Sequence, residues 1–185
     1  MPFFSQTTCS LILLSTPFLA LSIETSQKEA VIIPDNVLTA AFTPPEGWRV
    51  ADSTSLPKSV RIMVVGKGNH PFPPSINLGT EEYKGSLKEY LRIVKAINDA
   101  EGSEWTELGP IQTQAGTASL SQVNTTTEWG AVKMMHVILL KEGTVYILTA
   151  AAREEEFTQF YPDFFKAMRS LRITSRPASE LANLQ

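Results

Sequence analysis

Residues 131–173, AVKMMHVILLKEGTVYILTAAAREEEFTQFYPDFFKAMRSLRI, constrain the fold of this chain more than any other stretch. Residues 132–140 are apolar apart from Lys133 and His136, and residues 145–152 repeat the pattern with Val145, Tyr146, Ile147 and Thr149 as strand formers. Near-continuous apolar runs of this length suit strands in the middle of a sheet covered on both faces. Between them, Lys141-Glu142-Gly143-Thr144 places a glycine where a hairpin turn needs positive φ. Tyr161, Phe164, Phe165 and Met168 then fall at i, i+3, i+4 and i+7, which is one face of a helix. Pro162 suits the first turn of that helix, where its missing N–H costs nothing, so residues 154–160 read as a separate turn or short helix leading in. The unit can anchor a core, and nothing in it reads as a catalytic group.

Upstream, residues 59–65 and 75–83 read as strands, separated by the Gly/Pro loop GKGNHPFPP at 66–74. Residues 86–98 predict a helix opened by the capping box Ser86-Leu87-Lys88-Glu89, with Leu87, Tyr90, Leu91, Val94 and Ile97 on its buried face. Residues 105–112 and 116–123 follow as two strands turned at Gln114-Ala115-Gly116, and residues 125–129 as a polar loop. At 185 residues, one domain is expected, preceded by a polar lead-in over residues 23–41 that can add an edge strand. The folded domain is expected over 42–174, with a polar tail at 175–185.

The first 22 residues contain no Asp, Glu, Lys or Arg, and residues 11–21 form an apolar run as long as a signal-peptide core. Ala20 and Ser22 are small residues at the −3 and −1 positions of a cleavage site. The run is short for a membrane span, so no integral span is expected in the mature chain. A secretory n-region is normally basic and this one is not, which leaves a retained N-terminal anchor or a cytoplasmic protein as alternatives to cleaved export into the periplasm or beyond. Cys9, the only cysteine, precedes the apolar run and is poorly placed for lipidation; a cleaved chain would carry no thiol. Net charge is −3, so no basic field is available for nucleic acid.

With these pieces in place, the chain resembles the PsbP-like superfamily, which includes the extrinsic PsbP proteins of photosystem II, DcrB-like exported proteins and a Ran-binding nuclear-transport factor. The resemblance lies in FTPPEGW at 42–48, PSINLGTEEYKGSLKEYLRIV at 74–94, Gly116-Thr117-Ala118, and above all residues 141–173, ending in Leu171-Arg172-Ile173. It implies an α+β fold: an antiparallel β-sheet flanked by helices, an α-β-α sandwich. Photosystem members are associated with metal binding, but no residue here can be matched to such a site.

His70 and His136 are the only histidines, one in the Gly/Pro loop and one in a strand, without metal-ligand spacing. Ser119 and Ser121 have no visible histidine–acid partner. Glu154, Glu155 and Glu156 read as a solvated helix N-terminus, where carboxylates interact well with the dipole, with an acidic docking patch as the alternative. No catalytic residue, cofactor or metal ligand can be named. The expectation is therefore a non-enzymatic exported accessory or binding protein, an assembly factor or adaptor of the cell envelope with a protein partner. The alternative is a lipid or metabolite carrier. His70, Phe72, Glu154, Glu155 and Glu156 are the candidate interaction surface.

Overall fold

The structure, a computed structural model, describes residues 31–34 and 38–175. The leader at 1–22 with Cys9 and its cleavage site, much of the lead-in, and the tail beyond Ser175 lie outside the described residues. In chain order the elements are β1 (Val31–Pro34), β2 (Leu38–Phe42), β3 (Arg49–Val50), β4 (Val60–Val65), β5 (Ser75–Glu82) and α1 (Leu87–Ala100). They continue as β6 (Glu104–Thr113), β7 (Gly116–Thr127), β8 (Gly130–Lys141), β9 (Thr144–Arg153), α2 (Glu154–Arg169) and β10 (Arg172–Ser175).

The hairpin β8–β9 sits inside a seven-stranded sheet of order β3-β4-β5-β9-β8-β7-β6, in which every pairing is antiparallel. Its central place explains its composition. Met135, Val137, Leu139, Tyr146, Leu148, Ala150 and Ala152 point to one face and pack beneath α2, whose Phe157, Phe164, Ala167 and Met168 complete the main core. Ile138 and Val145 point to the other face and pack against α1 through Tyr90, Leu87, Leu91 and Val94. Because both faces are covered, both sets must be apolar. The result is the expected sandwich, one helix on each side of an antiparallel sheet. At the turn, Glu142 and Gly143 both take positive φ (51° and 77°), the two-residue geometry that matches strand twist.

A second sheet, order β1-β2-β10, extends the α2 layer. Leu38, Ala40 and Phe42 of β2 and Ile173 of β10 enter the main core, so the domain begins before Phe42 and the expected linker contributes two strands. The chain enters β10 directly after α2, which lets Arg172–Ser175 pair with β2.

Three local expectations are corrected. The helix does not start at Pro162: α2 is continuous from Glu154 to Arg169 with the proline inside it. Pro162 and Thr158 are both exposed, so the Thr158 carbonyl that loses its partner faces water, while Phe157 and Phe164 on either side anchor the helix. The buried face is accordingly Phe157, Phe164, Ala167 and Met168; Tyr161 is 44% exposed and rests on Phe165 at its margin. Residues 125–127 are strand and not loop, the turn being confined to Glu128-Trp129.

Candidate functional site

The loop at 66–74 meets the N-terminus of α2, which brings His70 to Glu155 and Asn69 to Glu156, while Phe72 packs onto a separate cluster of the sheet. His70 Nε2 lies 3.0 Å from Glu155 Oε1, and Arg153 donates to the same oxygen at 3.0 Å. Lys133 stands 3.6 Å from Glu154. Phe72 packs onto Val123, Val132, Met134 and Ala151, with its ring 6.0 Å from that of Trp129. Glu156 departs from expectation. It is 2% exposed rather than solvated, and its Oε1 accepts the Asn69 N–H at 2.7 Å. The acidic turn thus fastens the loop to the domain, and only Glu154 and Glu155 present much of their carboxylates outward.

The same loop lies against Trp48. A Cβ on Gly66 would come within 2.5 Å of the Trp48 ring, so glycine is what admits the indole. Trp48 in turn meets Phe160 and Phe164 edge-on at 6.2 and 6.0 Å, giving the FTPPEGW segment its purpose in the fold.

The more open region is on the α1 side. Seven strands span about 29 Å, whereas a 14-residue helix is about 21 Å long and 10 Å across. One helix cannot cover that face, and α1 lies over β8 and β9. Phe72 fills the far end of the face, and two features occupy what remains. The first is a polar row across four strands: Asn77 pairs with Thr149, Thr149 with His136, and His136 with Ser121. His136 Nδ1 lies 3.0 Å from Thr149 Oγ1, and the Trp105 ring stacks on the imidazole at 6.0 Å. Loss of hydration pushes the His136 pKa from 6.5 down to about 4. Ser119 and Ser121 hydroxyls are buried without a hydrogen-bond partner among the described residues.

The second feature is a groove of about 570 Å³ between α1 and the strands β6–β7. Leu87 and Leu91 form its apolar helix wall, rimmed by Lys88, Arg92 and Lys95. Trp105, Pro110 and Ser119 form its floor, and Glu107 stands on the strand side. The sequence reading missed both features. Their only signals were the half-buried face of α1 and the odd polar residues in apolar strands, whose adjacency depends on register.

His70 and His136 remain apart, one in the loop and one in β8. Among the described residues no group of three or more His, Cys, Asp or Glu side chains is placed to hold a metal ion, and no helix is long and apolar enough to cross a membrane.

No family model and no curated protein sequence matches the chain. Solved structures do. LpqN of Mycobacterium tuberculosis superimposes with a TM-score of 0.57 at 16% identity, covering 79% of this chain and 91% of LpqN. The cyanobacterial PsbP (CyanoP) of Synechocystis sp. PCC 6803 gives 0.54 at 11% identity, covering 84% of this chain and 98% of its own. The Ran-binding protein Mog1p of Saccharomyces cerevisiae gives 0.46 at 18% identity over 77% and 87%. The chain has the PsbP-like fold.

Proposed function

We propose that the protein is a non-enzymatic binding protein that acts outside the cytoplasm as an accessory or assembly factor of the cell envelope. The observation that carries this reading is the open groove on the α1 face, a concave surface of binding size left by a helix too small for its sheet. The groups beside it are built for packing and not for reaction. Ser121 and His136 are ladder partners, yet the serine is wholly buried and no hydrogen bond joins the two. The apolar run at 11–21 supports export. The shared fold supports an envelope role by analogy: LpqN is described as involved in cell envelope biogenesis.

The test is cell fractionation with N-terminal sequencing, followed by crosslinking and capture from envelope extract. A mature N-terminus near Ile23 and one reproducible envelope partner are expected. A soluble cytoplasmic form retaining Met1 would refute the location, and a partnerless monomer under crosslinking would refute the accessory role. A second reading, a carrier of small ligands, is favoured by the groove itself. Native mass spectrometry of the purified protein would then find bound mass.

A further inference from the structure

We propose that the groove beside α1 binds a single-chain anionic amphiphile, an acyl chain ending in a carboxylate or phosphate; this rests on the carrier reading above. The floor and inner wall are apolar, with Leu87, Leu91, Trp105 and Pro110 forming one surface. All four keep solvent contact, so this surface is not closed by packing within the described residues. A chain of methylene groups gains about 0.8 kcal/mol per group buried on such a surface.

The rim selects the head group. Lys88, Arg92 and Lys95 recur at helical spacing along the flank of α1 that overhangs the groove. Lys95 is tied to Asp99 at 2.6 Å, whereas Lys88 and Arg92 are exposed and form no salt bridge among the described residues. Glu89, three residues before Arg92, already accepts from Ser86 N–H and Oγ at 2.9 Å each. Lys88 and Arg92 thus stand beside an apolar groove without a salt bridge among the described residues, Arg92 having only the longer-range attraction of Glu89, in a chain of net charge −3. Glu107 on the opposite wall repels an anionic head and orients it toward the helix. Ser119, 9% exposed with an unpartnered hydroxyl, borders the floor and offers one further hydrogen bond.

An added peptide strand fits less well. The edge strand β6 has a bulge between Glu107 and Gly109 and a proline at 110, which interrupt the ladder a docking strand would need.

Isothermal calorimetry on the full chain, with monomeric dodecanoate and dodecyl phosphate as probes, tests the proposal. Dodecyl maltoside supplies the chain with a neutral head, butyrate supplies the head without the chain, and phosphatidylglycerol vesicles supply an anionic lipid surface. Both anionic probes should bind at one site, butyrate should not bind, and the maltoside should bind at least about tenfold more weakly. The double variant Lys88→Glu/Arg92→Glu, exposed positions whose exchange leaves the urea midpoint in place, should lose at least about tenfold in affinity for the anions alone. Thr117→Trp, which fills the groove from its exposed rim, should abolish both. Equal binding of the neutral probe, unchanged affinity in the charge-reversed variant, or binding to vesicles only would each overturn the proposal. If no probe binds while an envelope partner is still captured, the amphiphile is ruled out and the accessory role stands.

Discussion

His136 should make this protein lose stability in mild acid. The imidazole stays neutral in the fold because it lies under the Trp105 ring between Ser121 and Thr149, none of them charged. Its folded pKa is about 4 against 6.5 unfolded. The unfolded chain therefore binds the proton first as pH falls. Stability from this group is complete above about pH 6.5, declines through the window down to about 4, and changes no further below it. Weighting the two protonation equilibria gives a loss of about 2 kcal/mol between pH 7.5 and pH 5, and the partial exposure of His136 makes this an upper value. Any pH dependence common to the whole chain is removed by comparison with His136→Gln, which keeps an amide near Thr149 but cannot take a proton. Urea unfolding of both proteins at the two pH values should show the wild type losing up to about 2 kcal/mol more than the variant. Parallel losses would refute the reasoning, as would an NMR titration midpoint for the His136 ring near its ordinary value.

Three other substitutions probe the fold around the two faces. Gly66→Ala places a methyl 2.5 Å from the Trp48 ring and should cost about 1–3 kcal/mol, seen as a lower urea midpoint with red-shifted tryptophan emission; an unchanged midpoint would show that the indole does not depend on the glycine. Glu142→Asn places a residue that tolerates left-handed backbone at φ 51° and should raise stability by about 0.5–1 kcal/mol in the same assay, and no gain would argue against the turn geometry. Pro162→Ala restores the N–H facing the exposed Thr158 carbonyl and should stabilise by roughly 1–3 kcal/mol. A lower melting temperature for that variant would mean that the proline is accommodated by a bend the core requires.

Residues near one another in the chain were legible because their physics is local. Gly143 announces a turn, Ser86 and Glu89 exchange hydrogen bonds within one helical turn, and the apolar runs of β8 and β9 report burial on both faces without reference to what covers them. The sandwich follows from those signals and from the PsbP-like order of elements. Tertiary structure decided the rest. Whether α2 runs through Pro162 depends on the core holding Phe157 and Phe164 on either side of it. Whether Glu156 is solvated depends on a loop 87 residues earlier in the chain arriving with Asn69 N–H to meet it. His136 becomes a half-buried neutral base only when register sets it between Ser121 and Thr149 and Trp105 stacks on it. The groove exists because a short α1 meets a wide sheet, a mismatch of dimensions that no single segment encodes. Propensity and periodicity act over a few residues, whereas register and coverage are set when distant strands close the sheet.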